Sequence, residues 1–212
     1  VEAAMRARGV EVAGPRVQRA GAVVSLVESG SRSMASDPGD TTWLTRLDAA
    51  DLPEHLDWLY LSGYALLRCP TPWVLTAMVG AARARGAEVA IDLASASMIE
   101  GYGASRYRGL VRSFEPSVIF GNDAEWDAFG KGPGSPPAAR EAALVVKHGA
   151  RGASFVVDGV AEERAPVAGP VVDSTGAGDA ITAGYLVGGA DLAMVAAARC
   201  VGMVGAQPGE SR

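Results

Sequence analysis

Short apolar runs alternate with polar or glycine-containing stretches along most of this chain, and their lengths and edges predict a succession of strands and helices. The opening Val1–Gly9 reads as the end of a helix closed by glycine, with no N-cap and no strand before it, so the sequence starts inside an element. Residues 21–29 have the β-branched content of a strand, and the stretch through Ser31, Ser33, Ser36, Asp37, Pro38, Gly39 and Asp40 reads as a polar loop. Trp58–Ser62 predicts a buried strand ending at Gly63. Thr71 and Pro72 fit a helix start, threonine as cap and proline in the first helical position, for a helix that runs to about Arg85 and stops at Gly86. Glu88–Asp92, Pro116–Phe120 and Ala143–Lys147 predict further strands, with a helix over Arg106–Ser113. Gly152–Gly159 and Glu162–Val167 read as an antiparallel pair around a turn at Asp158-Gly159, and helices 178–188 and 191–206 close the chain.

Alternation of strand and helix from 58 to 147 predicts a mostly parallel sheet with helices on both faces, in which ligands bind beyond the carboxyl ends of the strands. The Gly130–Pro137 stretch is low in complexity, but the α/β pattern continues on both sides of it. It reads as a surface loop, and residues 1–212 as a single α/β domain.

Composition narrows the classes. With 49% apolar and 20% charged residues the chain is globular, and a net charge of −5 without a large basic cluster argues against a nucleic-acid partner. Cys69 and Cys200 are the only cysteines, which suits a reducing compartment and buried thiols. No apolar run reads as long enough to span a membrane and no signal peptide is seen, so the expectation is a cytoplasmic protein with no membrane partner. Trp43, Trp58, Trp73 and Trp126 share no spacing and read as core or sheet-edge packing.

The most specific chemistry lies in Asp173-Ser174-Thr175-Gly176-Ala177-Gly178-Asp179, followed by a mostly apolar segment. Gly176 and Gly178 permit a tight turn, and the start of a helix adds unpaired amides and the positive end of a dipole. The amides of 176–178 thus form a candidate anion hole for a phosphate, with Asp179 beside it to accept a proton from an attacking hydroxyl. Gly121-Asn122-Asp123-Ala124-Glu125 follows a strand, and Asn122 and Glu125 have the spacing of a capping box. Lys147-His148-Gly149-Ala150-Arg151-Gly152 ends another strand and reads as a hairpin turn whose glycines allow close approach to the backbone. His148 has only His55 as a second histidine and no cysteine nearby in sequence, so it does not read as a metal ligand or a triad member.

The 173–179 segment resembles the C-terminal signature of PfkB-type (ribokinase-like) carbohydrate kinases, with Ser174 where the family pattern usually has threonine. The resemblance implies a ribokinase-like three-layer sandwich and transfer of the ATP γ-phosphate to a hydroxyl of a sugar or nucleoside. It implies Asp179 as base and Gly176, Ala177 and Gly178 as the anion hole. It places Lys147, Gly149 and Gly152 on the nucleotide, with Asn122 near the phosphates and Glu125 holding Mg²⁺, mainly through water. Asp173, Thr175 and Gly205 match a monovalent-cation site for K⁺, although Gly209 stands where the family often has serine. Asp92-Leu93-Ala94-Ser95 replaces the Asp-x-Asn-x-Arg pattern of many sugar kinases and looks closer to nucleoside-kinase branches. The family's Gly-Gly-x-x-Asn signature and its first strands have no counterpart, so the resemblance covers the later part of the family's chain, with 11–29 as a lid remnant. Family lids often pair two subunits, which makes a homodimer one expectation. Two alternatives remain at this stage: a nucleotide-binding protein that phosphorylates nothing, and a truncated kinase whose exposed sheet edge pairs with a second copy.

Overall fold

The computed structural model describes residues 2–28, 31–130 and 142–205. These form two compact units, Val1–Asp57 with Arg68–Ala87, and Trp58–Leu67 with Glu88–Arg212.

In the first unit a short helix α1 (Glu2–Arg6) precedes Gly9, whose φ of +78° ends the turn. Strands β1 (Ala22–Glu28) and β2 (Ser31–Asp37) pair antiparallel over their whole length. The stretch expected as a polar loop is therefore mostly strand. Its serines are poor strand formers, but a backbone ladder with a β-branched partner overrides weak propensity on an exposed ribbon. Within 11–29 only Ala22–Glu28 is strand, and its partner lies beyond that range. Helix α3 (Trp73–Ala84; α2, Gly63–Arg68, belongs mainly to the second unit) buries Val74, Leu75, Met78, Val79 and Ala82, the spacing of one helix face. Thr71 does not cap it: its hydroxyl is buried without a hydrogen-bond partner, and its carbonyl accepts from Val74 N–H instead. Trp73 departs from the packing expected of the tryptophans and is exposed.

The second unit is built on a six-stranded sheet in the order β3 (Trp58–Ser62), β4 (Glu88–Asp92), β5 (Val118–Asn122), β6 (Ala143–Lys147), β7 (Ala153–Val157), β8 (Val160–Arg164). Strands β3 to β6 run parallel, and β7 and β8 turn back antiparallel. β5 starts two residues later than expected and ends on Asn122. Asp158 and Gly159 both have positive φ, +51° and +78°, the geometry of a tight two-residue hairpin between β7 and β8.

Helices cover both faces of this sheet. On one, Ala90, Val118, Phe120, Val145, Ala153 and Phe155 pack against Ile181, Ala193 and Met194 of α7 (Ala177–Val201). The Tyr185 ring stacks on Phe155 and meets Phe120 edge-on, each with centroids 5.6 Å apart. Residues of opposite parity face α4 (Ala96–Tyr102), α5 (Ala104–Ser113) and α6 (Asp123–Phe129). There Tyr107, Trp126 and Phe129 form an edge-to-face series, and Gly121 lets Trp126 close onto β5, since a Cβ at 121 would lie 3.0 Å from its indole nitrogen.

The two helices expected at the end of the chain are the two halves of α7. They part at Gly188 and Gly189, the latter with φ +70° and ψ −160°. The halves fold back on each other: a Cβ at Gly184 would lie 2.6 Å from Ala193 Cα. The second half ends at Val201, short of 206. By length and composition α7 could cross a membrane, contrary to the reading of the sequence, but each half is far shorter than the roughly 20 residues a spanning helix needs.

Candidate active site

The four parallel strands all end on polar residues: Ser62, Asp92, Asn122 and Lys147. Their registers align these ends, Ser62 opposite Asp92 and Asn122 opposite Lys147. β3, β5 and, after a short linker, β4 each feed a helix on the same side, so backbone polarity and helix starts collect at this carboxyl edge.

The 173–179 turn enters from α7. Gly176 adopts φ +82°, the left-handed conformation that costs glycine little, and Ala180 N–H makes the first helical bond to its carbonyl, 2.9 Å. Gly178 and Asp179 thus lie in the first turn, ahead of the hydrogen-bond ladder. The Ala177 amide, expected to face the anion with its neighbours, instead donates to Ser174 O at 3.2 Å and closes the turn. Asp179 is exposed in that first turn rather than packed inside.

Lys147 brings a charge to the same place. Its Nζ lies 2.6 Å from Asp92 Oδ2, and a Cβ at Gly178 would sit 3.6 Å from that ammonium. Thr182, buried in α7, donates to Gly178 O at 3.1 Å and lies 3.5 Å from the same Asp92 oxygen. Asp92 Oδ1 accepts from Ala94 N–H, and Ala94 itself takes a positive φ of +54°. One carboxylate therefore joins β4, β6 and the first turn of α7. The sequence reading used Asp92 only as a departure from a family pattern and did not pair it with Lys147. Tyr60 was not singled out either. Burial and then the charges of Asp92, Asp179 and Glu125 push its hydroxyl up, which puts it within electrostatic reach of all three.

Asn122 and Glu125 form the capping box that was one of their two readings. Asn122 Oδ1 accepts from Glu125 N–H and Glu125 Oε2 accepts from Asn122 N–H, both at 2.9 Å. Burial raises the Glu125 carboxyl above the usual range, against its hydrogen bond from the Asn122 backbone; nearby Asp92 raises it further and Lys147 opposes that. Among the described residues no group of three or more His, Cys, Asp or Glu side chains is arranged to hold a metal ion.

The 147–152 segment is the hairpin turn between β6 and β7. Gly149 and Gly152 have φ +60° and +101°, and His148 N–H donates to Gly152 O at 2.9 Å. Gly149 is exposed with nothing within 4 Å of a would-be Cβ, whereas a Cβ at Gly152 would lie 2.0 Å from Arg164 O. The two glycines thus differ in cause: the fold itself requires Gly152.

Asp173 ties down the segment that leads into the 176–178 turn. Its Oδ1 accepts from Thr175 N–H and Oγ–H at 2.9 and 2.6 Å, and its Oδ2 accepts from Gly205 N–H at 2.9 Å. The amides of Val172 and Asp173 both donate to Val201 O, and Cys200 Sγ lies 3.3 Å from Thr175 O. The three residues matched to a cation site are therefore brought together.

A ribokinase-like α/β fold with this carboxyl-edge site defines the class, and comparison with known proteins agrees. The chain belongs to the pfkB family of carbohydrate kinases, whose family model matches residues 1–206. No curated protein sequence matches the chain. Among solved structures, adenosine kinase from Sinorhizobium meliloti superposes with a TM-score of 0.77 at 26% identity, over 97% of this chain and 69% of that one. A nucleoside kinase from Burkholderia thailandensis, in complex with inosine, gives 0.76 at 19%, over 97% and 69%. Fructokinase from Vibrio cholerae, bound to fructose, ADP and calcium, gives 0.70 at 18%, over 96% and 74%.

Proposed function

We propose that this protein transfers the γ-phosphate of ATP to a hydroxyl of a small-molecule sugar or nucleoside. The observation that carries the reading is the position of Asp179, exposed in the first turn of α7 behind the left-handed Gly176, with the Lys147 ammonium against Gly178. The acceptor oxygen attacks the γ-phosphorus, the bond to the bridging oxygen of ADP breaks, and the acceptor proton passes to the Asp179 carboxylate. The Gly176 and Gly178 amides and the helix dipole hold the charge on the moving phosphoryl group, with Ala177 shaping the turn. Lys147 orients the phosphates, and Gly149 and Gly152 let the nucleotide approach the backbone.

Mg²⁺ keeps most of its waters and takes one or two carboxylates plus substrate phosphates. Glu125 and Asn122 would hold it, and it would neutralise phosphate charge. Asp173, Thr175 and Gly205 would hold K⁺ beside the turn. The family and the net charge of −5 support a cytoplasmic enzyme with no nucleic-acid or membrane partner.

The test is turnover with ATP, Mg²⁺ and a panel of sugars and nucleosides, for the protein and for Asp179→Asn. Loss of a positioned general base is expected to lower kcat by about 10²–10⁴-fold with ATP binding retained. Near wild-type turnover in the variant would overturn the assignment of Asp179. ATP binding with no product from any acceptor would instead support a nucleotide-binding protein.

A further inference from the structure

His148, which the sequence did not single out for chemistry, is tied at both ends of its ring. Its Nδ1 lies 2.7 Å from Asp123 Oδ1, and its Nε2 makes a short contact with Ser154 Oγ. Ser154 donates to Glu163 Oε2 at 2.7 Å, and Arg151 Nη2 donates to Asp123 Oδ2 at 2.6 Å. A serine hydroxyl has one proton. Here it goes to Glu163, so the Ser154 oxygen accepts from the ring. His148 thus bridges the first residue of α6 to the β7–β8 pair, with a hydrogen bond at each ring nitrogen.

Asp123, His148 and Ser154 have the composition of a nucleophile triad, but the proton runs the wrong way. Glu163, not the ring, takes the hydroxyl proton, and Ser154 is only 4% exposed within β7. The arrangement is a strut. Gly149 and Gly152 give the turn a permissive backbone, and a side chain at 149 would meet no neighbour within 4 Å. Hydrogen bonds inside the turn set its shape, while the His148 and Arg151 side chains tie it to Asp123, next to Asn122.

We infer that His148 is a positioning residue for the nucleotide: by hydrogen-bonding Asp123 and Ser154 together it holds the Lys147–Gly152 turn at the place where the nucleotide lies. This rests on the reading of that turn given under the proposed function. The experiment compares the whole protein with Ser154→Ala, which removes the far acceptor without touching the turn, and with His148→Asn, which keeps a donor toward Asp123 only. Two measurements are made: the kinetics with ATP, and amide hydrogen exchange at 149–152. Losing one hydrogen bond of a charged network is expected to raise KM for ATP about tenfold while kcat stays within about twofold. Exchange in the turn is expected to quicken in both variants. Should Ser154→Ala not fold, Glu163→Ala at an exposed position frees the Ser154 proton to turn toward the ring, and a smaller rise in KM is expected. Unchanged KM and unchanged exchange in the variants would overturn the inference. If the wild-type protein neither binds nor uses ATP, the kinase reading fails on its own. Exchange then judges the strut: quicker in the variants supports it, unchanged refutes it.

Discussion

Lys147 Nζ and Asp92 Oδ2 lie 2.6 Å apart, with their side chains only 12% and 10% exposed. The chain has just two lysines among its 19 Lys and Arg residues, so a compact ammonium here is a departure from its general use of arginine. Three donors on a point charge fit between Asp92 and Gly178 where a planar fork would not. Removing one partner strands the other charge in a buried site. Asp92→Ala is expected to cost about 3–5 kcal/mol in urea unfolding. Asp92→Leu combined with Lys147→Met is expected to recover most of that loss while leaving phosphate binding weakened. A loss in the double variant equal to the sum of the losses of Asp92→Leu and Lys147→Met alone would show that the pair is not energetically coupled.

The two glycines of the β6–β7 turn should separate fold from binding. Gly152→Ala puts a Cβ against the Arg164 carbonyl at a φ of +101°, and a loss of about 3 kcal/mol or more is expected from thermal or urea denaturation. Gly149→Asn meets no neighbour and asparagine tolerates φ of +60°, so stability should move by no more than about 0.5 kcal/mol. A weaker ATP affinity in Gly149→Asn at unchanged stability would mark the turn as a nucleotide contact, and an unchanged affinity would remove Gly149 from the site.

Glu125→Gln isolates charge from capping. Glutamine still accepts from the Asn122 amide, so the helix start should survive. A residue that acts on Mg²⁺ mostly through water is expected to shift the Mg²⁺ concentration for half-maximal activity about tenfold upward. An unaltered Mg²⁺ requirement would leave the capping box as the residue's whole role.

Tyr107 supports the loop that presents Asp92. Its ring is fully buried and its hydroxyl donates to Leu93 O at 3.0 Å, one residue from Ala94 with its positive φ. Tyr107→Phe is expected to cost about 1–2 kcal/mol, measured by urea unfolding. No measurable change would mean that another donor reaches the Leu93 carbonyl.

Strand positions at the carboxyl edge were legible because buried parallel strands carry continuous apolar runs, as in Ala143–Lys147, which is strand from end to end. The turn at Asp158-Gly159 was legible from its residue types alone. Ser31–Asp37 was not, because its strand is held by pairing with β1 and carries no apolar pattern of its own. Asp179 and the glycines before it stood out because their spacing is local. The Lys147–Asp92 pair spans 55 positions and the His148 strut joins β5–α6 to β7 and β8. Such contacts follow from strand order, which no local pattern of residues specifies. Three of the four polar strand ends were nonetheless readable, Ser62, Asp92 and Lys147, whereas Asn122 was expected just past its strand.

The reversal of α7 at Gly188-Gly189 has a structural consequence for the 173–179 turn. A straight helix of 25 residues would hold its two ends about 37 Å apart, yet Asp173 and Thr175 meet Cys200, Val201 and Gly205. The backbone there runs as a closed circuit, out along one rod and home along the other, with Gly184 letting the rods touch. A bulky side chain at 184 would act as a wedge with a long lever arm, moving the 176–178 amides without altering any residue of the turn itself.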